Sequence, residues 1–303
     1  MRTNRALVVT LLCGLLILSY SGQYVAGDNA KIITEDNITY GKAGDTELKL
    51  DLARPQDDGP FPAIVFIHGG AWYQGNRQGY RGAIQEAAKR GYVAATISYR
   101  LMKFDESKKE TTTAAPIFPA QIHDAKAAIR WVRANAQKYH VNPDRIGVTG
   151  GSAGGHLSLL VGLAGPTANL EGDSGNPGQS SRVQAVVNTF GPTEMVGCYE
   201  KSSVAWIFRL FLGGTPSEAP ERYKAASPVT YVSKDAPPVL TLHGDKDALV
   251  PVEQAKMLDE KMKAVGASHT LMVFQGQGHG FQAEADKKAW NATWDFFDRH
   301  LKR

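Results

Sequence analysis

Over most of the chain, short uninterrupted apolar runs alternate with segments whose apolar residues recur every three or four positions. Ala63-Ile64-Val65-Phe66-Ile67 is one such run and ends at His68-Gly69-Gly70. This is the pattern of a strand covered on both faces that enters a loop. Residues 84–90 have a helical pattern closed by Gly91, a residue suited to the left-handed position after a helix. Residues 92–98 predict the next strand. Ile122, Ala125, Ile129, Val132 and Ala136 then lie on one face of a helix predicted over 120–139, which Asn142-Pro143 is expected to end. A short strand over 146–149 runs into Gly150-Gly151-Ser152. Further strands are predicted at 183–190, 239–242 and 270–274, and helices at 252–265 and 283–300. In the last helix Trp290, Trp294 and Phe297 form one stripe, read as core packing.

Alternating strands and helices imply an α/β fold, a mostly parallel sheet with helices on both faces. In such sheets ligands and chemistry gather beyond the C-terminal strand ends. His68, Ser152, Asp247 and His279 each follow a predicted strand closely. Two stretches break the alternation. Residues 165–182 are rich in Gly, Ser, Asn and Asp and read as a surface loop. Residues 193–230 contain the apolar cluster Trp206-Ile207-Phe208-Arg209-Leu210-Phe211-Leu212. They read either as a small insertion over the strand ends, shaping a pocket, or as an amphipathic helix packed on the domain.

Composition narrows the class. The 303 residues are 43% hydrophobic and 21% charged, which excludes a mainly disordered chain, a coiled coil and collagen. Two cysteines exclude a disulfide scaffold and a Cys-based zinc cluster. Net charge is +4, and Arg2 and Arg5 supply two of those charges, too little to suggest a nucleic-acid partner. Those two arginines precede an uncharged apolar run over 6–18, followed by small residues. The run is short for a membrane span, which needs about 20 residues, and suits the core of a secretory signal peptide. Residues 1–27 are therefore expected to be a signal peptide cleaved after Ala26 or Gly27, with Ser21 or Gly22 as rival sites and an uncleaved N-terminal anchor as the alternative; cleavage leaves residues 28–303 as a single secreted or periplasmic domain with no membrane association. Cys198 would be its one thiol, read as a small buried hydrophobe.

Gly150-Gly151-Ser152-Ala153-Gly154 fits G-x-S-x-G between a strand and a helix, the context in which a sharp turn exposes a nucleophilic serine. An alcohol needs a base at neutral pH, and the base needs a carboxylate to fix its tautomer. Of eight histidines, His279 lies in Gly278-His279-Gly280-Phe281 after the last predicted strand. His140 and His300 read as surface residues, and His123 and His156 as structural hydrogen bonders. His243-Gly244-Asp245-Lys246-Asp247 supplies two carboxylates, with Asp247 the expected partner of His279 and Asp245 the rival, otherwise a turn-capping residue. The order Ser152, Asp247, His279 suits this kind of sheet. His68-Gly69-Gly70-Ala71-Trp72 brings backbone amides toward a developing oxyanion, with His68 orienting the loop. The amide of Ala153 at the helix start is the expected third donor. No cluster has metal-ligand spacing, and no metal or cofactor is expected.

With HGGAW at 68–72, TGGSAGGHLSLL at 149–160, HGDKDALVP at 243–251 and GHGF at 278–281, the chain resembles the α/β-hydrolase fold. It is similar in particular to the bacterial feruloyl and acetyl-xylan esterase group, related to hormone-sensitive-lipase-like enzymes. The resemblance spans about 38–301. It implies Ser152 as nucleophile, Asp247 as acid, His279 as base, and Gly69, Gly70 and Ala153 as the oxyanion hole. It also implies a structural role for Asp124 in the segment from Phe118. Gly151 and Ala71 stand where hormone-sensitive-lipase-like enzymes usually carry Asp and a third Gly, which favours the xylan-esterase side. The expected activity is hydrolysis of short-chain, acetyl or feruloyl esters of plant polysaccharide through an acyl-enzyme. The alternatives are an arylformamidase or prolyl-oligopeptidase-like amide hydrolase, and a non-catalytic binding module on the same fold.

Overall fold

The computed structural model describes residues 31–108 and 112–302, and that span begins with a hairpin the periodicity reading left out. β1 (Ile32–Ala43) and β2 (Thr46–Pro55) pair antiparallel. β2 carries a strand's alternation: Leu48, Leu50 and Leu52 alternate with polar residues, and all three are buried. β1 is a polar edge strand whose register slips between Glu35 and Ile38 and again between Thr39 and Gly41. Such irregularities bend an edge away from further pairing. Asp51 of β2 is fully buried but not alone. Its carboxylate accepts from Arg77 Nε at 2.7 Å, Arg81 Nε at 3.0 Å and the Asn37 amide at 2.9 Å.

β3 (Phe61–Ile67), α1 (Arg81–Lys89), β4 (Val93–Ile97), α2 (Ala120–Ala134), β5 (Val141–Gly151), α3 (Ala153–Leu163) and β6 (Ala185–Thr189) follow. Three short helices come next: α4 (Met195–Lys201), α5 (Ala205–Leu212) and α6 (Pro220–Ala225). β7 (Val239–Gly244), α7 (Glu253–Ala264), β8 (His269–Phe274) and α8 (Ala283–Leu301) complete the described chain. The sheet has eight strands in the order β1-β2-β4-β3-β5-β6-β7-β8. β2 meets β4 antiparallel, and every pairing from β4 to β8 is parallel. The expected mostly parallel sheet is present, extended by the N-terminal hairpin.

Two apolar layers cover the sheet. One gathers Ile122, Ile129, Leu157, Leu160, Leu258 and Met262 from α2, α3 and α7. The other is built from α1 and α8, where Trp294 and Phe297 are 1% and 0% exposed and Trp290 packs at their edge. Full burial of each large side chain contributes roughly 1.5–3 kcal/mol. The stripe predicted as core packing is core packing.

Several predicted boundaries move. α2 stops at Ala134 rather than at 139, because Asn135 turns its side chain back to the Trp131 carbonyl (2.9 Å) and the chain then folds through a turn. Asn142-Pro143 lies inside β5, not at a helix end, where β5 shifts register against β3. The segment 165–182 is a loop, but a tethered one. Glu171 accepts from Lys126 Nζ at 2.6 Å and Arg130 Nη1 at 3.2 Å, two cations buried on α2. Asp124, also on α2, is fully buried and forks the Arg100 guanidinium at 2.7 and 2.9 Å. The segment 193–230 reconciles both of its readings: it folds as short helices packed on the domain, and Ile207 and Phe208 of α5 line the cleft above the strand ends. The expected signal peptide lies outside the described residues.

Candidate active site

β5 is buried through its last three residues and must turn at once into α3, so the turn has no room for side chains at its flanks. A Cβ on Gly154 would run into the backbone carbonyls of Ile67 and His68. Ser152 between them takes φ 55° and ψ −123°, a conformation costly for any residue but glycine. Its amide donates to the Thr189 carbonyl at 2.9 Å and its carbonyl accepts from the His156 amide at 2.9 Å, which hold the turn. The side chain is left projecting above the sheet.

Ser152 Oγ donates to His279 Nε2 at 2.8 Å, and His279 Nδ1 donates to Asp247 Oδ2 at 2.7 Å. Asp247 follows β7, and its other oxygen accepts the amides of Leu249 and Val250, each at 2.9 Å. His243 Nε2 donates to the Val250 carbonyl at 2.8 Å and lies 3.4 Å from Asp247 Oδ2. Burial alone would raise the Asp247 carboxyl. The hydrogen bonds from His243, His279 and Val250 outweigh it and hold the group below the usual carboxylate range. Asp247 is therefore a fixed anion beneath the imidazole. The rival, Asp245, instead accepts the Gly276 amide at 2.6 Å and ties β7 to the turn before His279.

The loop after β3 supplies donors. His68 Nδ1 donates to the Gly69 carbonyl at 2.7 Å, and its ring stacks on Tyr99 at 4.4 Å. Since the peptide unit is planar and trans, pinning the Gly69 carbonyl points the Gly70 N–H the opposite way. Gly70 reaches φ 107°, open to glycine, and a Cβ there would strike the backbone of Gln74 and Gly75. Among the described residues the amides of Gly69, Gly70 and Ala153 have no acceptor. They are available to a ligand.

These groups open into a cleft of about 590 Å³. Tyr80, Phe190 and Phe281 form one wall, with Phe190 packed against His279 at 4.6 Å, and Val204, Ile207 and Phe208 form the other. Ile207 and Phe208 belong to the cluster that the sequence offers as a pocket wall, whereas Tyr80, Phe190 and Val204 carry no such expectation. Phe190 and Phe281 offer a signal, since each follows a strand or the His279 loop directly. Tyr80 offers none, because it sits in a single 3₁₀ turn. Among the described residues no group of His, Cys, Asp or Glu is placed to hold a metal ion, and no helix is long and apolar enough to cross a membrane.

None of the side chains of His123, His140, His156 and His300 is hydrogen-bonded to Ser152. His156 is fully buried and His123 half-buried beside Gly172, while His140 and His300 are partly exposed. Cys198 is fully buried, and burial pushes its thiol well up. Burial also lowers His68 and His156 to about 4 from the ordinary 6.5, against the pull of the Gly69 and Ala226 carbonyls. As pH falls below 6.5, the unfolded chain gains protons at both sites while the folded chain does not until about 4, so stability is lost across that window. Each histidine accounts for on the order of 3 kcal/mol over its whole width. The urea midpoint is expected to fall steeply between pH 6.5 and 4, and His156→Gln is expected to flatten the slope. A midpoint constant across that range would contradict this.

A parallel sheet with a serine at a strand-to-helix turn, and its histidine and aspartate in loops after later strands, defines an α/β hydrolase of the serine type. The chain belongs to the BD-FAE family, whose model matches residues 50–262. It is 34% identical over 252 residues to Esterase LipC of Mycobacterium tuberculosis, covering 80% of this chain and 59% of that protein. To the probable carboxylic ester hydrolase LipM of the same organism it is 34% identical over 238 residues, covering 76% and 52%. The chain thus spans between half and three-fifths of the length of these relatives. A truncated carbohydrate esterase from gut microbiota superposes with TM-score 0.73 at 31% identity, covering 91% of this chain and 99% of that one. Esterase 2 of the planctomycete Thermogutta terrifontis superposes with TM-score 0.71 at 29% identity, covering 90% and 92%.

Proposed function

We propose that the protein is a serine carboxylic ester hydrolase working through an acyl-enzyme, with Ser152 as nucleophile, His279 as base and Asp247 as its orienting anion. The observation that carries this reading is the unbroken chain of hydrogen bonds from Ser152 Oγ through His279 to Asp247, at 2.8 and 2.7 Å, beside amides with no acceptor of their own. As Ser152 Oγ attacks an ester carbonyl, its proton passes to His279 Nε2, and Asp247 stabilises the imidazolium. The amides of Gly69, Gly70 and Ala153 take the negative charge that develops on the carbonyl oxygen. His279 returns the proton to the departing alcohol, and water then releases the acyl group by the same steps. No part of this sequence calls on a metal or cofactor.

For the substrate we infer short-chain acyl esters, acetyl or feruloyl, carried on plant polysaccharide. The structural neighbour described as a carbohydrate esterase supports the alcohol side of this reading. The cleft of about 590 Å³ is far larger than an acetyl group needs, which leaves room for an aromatic acyl group or a sugar. The basic and apolar character of residues 1–27 supports action outside the cytoplasm, in the periplasm or medium. Initial rates on p-nitrophenyl esters, methyl ferulate and acetylated xylan test the assignment. On this reading rates are highest from acetate to butyrate and about tenfold or more lower by octanoate. Preference for long chains would overturn the substrate class. Amide turnover exceeding that of matched esters would favour an amide hydrolase, and no turnover with no serine labelling a binding module.

A further inference from the structure

The loop bearing the amide donors continues into two strained residues. Ala71 and Trp72 have φ 51° and 62°, left-handed values that persist in non-glycine residues only where the surroundings enforce them. Trp72 is held both by the 193–230 segment and by α3 of the domain. The Trp72 indole stacks face to face on Phe211 of α5 at 4.0 Å and 7°, and meets Phe208 edge-on at 5.7 Å. Its Nε1 donates to His156 Nδ1 at 3.2 Å, and His156 Nε2 donates to the Ala226 carbonyl, just past α6, at 2.7 Å. Those two bonds fix the tautomer of a fully buried ring. His156 also donates its own amide to the Ser152 carbonyl, so one residue touches the nucleophile turn, the amide loop and the cap. The Trp72 carbonyl accepts the Met102 amide at 2.9 Å, and the Gly70 carbonyl accepts those of Tyr73 and Gln74. The bonds that seat the indole and those that seat the Gly70 carbonyl thus lie in one short loop, two residues apart.

We propose that Trp72 and His156 are positioning residues that lock the oxyanion loop to the 193–230 cap, so that the seating of the cap sets how well the transition state is held. The proposal rests on the hydrolase reading above. It separates the cap's role in shaping the cleft, which governs KM, from a role in aiming the amides, which governs kcat.

The test compares Trp72→Phe, which keeps an aromatic ring beside Phe211 and removes the N–H donor with part of the indole, with His156→Leu and His156→Gln, which leave the indole whole. In Trp72→Phe and His156→Leu, kcat on p-nitrophenyl acetate is expected to fall about tenfold with KM within about twofold. The double variant is expected to fall no further than either single one, since the pair acts as a unit. His156→Gln, which retains an acceptor and a donor, should recover most of the loss. Amide hydrogen exchange over residues 69–74 should quicken about tenfold in Trp72→Phe while that of α1 stays unchanged. Folded Trp72→Phe with full kcat and unchanged exchange would overturn the proposal, whatever its melting temperature. Ser152→Ala, assayed alongside, keeps the two ideas apart. Activity surviving there overturns the hydrolase reading, whereas an inactive Ser152→Ala beside a fully active Trp72→Phe overturns only the positioning role.

Discussion

Replacing Ser152 with alanine is expected to lower kcat on p-nitrophenyl acetate by a factor on the order of 10⁴–10⁶, leaving the fold unchanged. The size of the effect follows from what the side chain does. In the proposed reaction Ser152 Oγ bonds to the acyl carbon, and its hydrogen bond to His279 Nε2 is the route by which its proton leaves. Without it the amides of Gly69, Gly70 and Ala153 still bind a polarised carbonyl, so a small residual rate over solution hydrolysis is expected to remain. Stability should move little. Alanine keeps the Cβ and hence the cost of φ 55°, and the amide and carbonyl of residue 152 keep their partners on Thr189 and His156. A melting temperature within a few degrees of the parent, together with lost turnover, is the expected pair of results. Turnover near the parent value would remove Ser152 from the chemistry.

Asp247→Asn is expected to lower kcat by roughly 10³–10⁴, although it changes one atom and almost no volume. Asp247 Oδ1 accepts two amides, from Leu249 and Val250, so an asparagine keeps its oxygen there and turns its NH₂ toward His279. An NH₂ group cannot accept the Nδ1 proton. The imidazole answers by moving that proton to Nε2, the nitrogen facing Ser152, which can then no longer act as a base. The loss is one of tautomer and charge, so KM should change far less than kcat. Nitrogen NMR of the His279 ring tests the cause directly: the proton is expected on Nδ1 in the parent and on Nε2 in the variant. An unchanged tautomer beside a large loss in kcat would leave only the missing anion to explain it. A kcat within a few fold of the parent would contradict the role assigned to Asp247.

The parts of the fold legible in the sequence are those governed by period. β3, with five consecutive apolar residues, and α8, with Trp294 and Phe297 on one stripe, can be read directly because buried strands and amphipathic helices each impose their own spacing. β1 escapes that reading because an edge strand with only one buried residue, Tyr40, has no apolar spacing to impose. The early end of α2 escapes it too, since Ala136 continues the apolar step after the backbone has already turned at Asn135. The site is legible for a different reason. Glycines crowd around Ser152 and after His68 because backbone passes too close for side chains, and that leaves a mark in the sequence. The cleft wall at Tyr80 leaves none: it sits in a short 3₁₀ turn, and only the tertiary arrangement turns it toward Ser152.

Tandem mass spectrometry of the whole chain after reaction with a fluorophosphonate probes the central claim most directly, because the reagent needs the nucleophile, its base and the amide donors together. The account predicts one phosphonyl adduct, on the peptide carrying Ser152, that forms in the parent, slows sharply in Asp247→Asn and is absent in Ser152→Ala. An adduct on any other residue, or full ester turnover in a chain whose Ser152 takes no label, would contradict it.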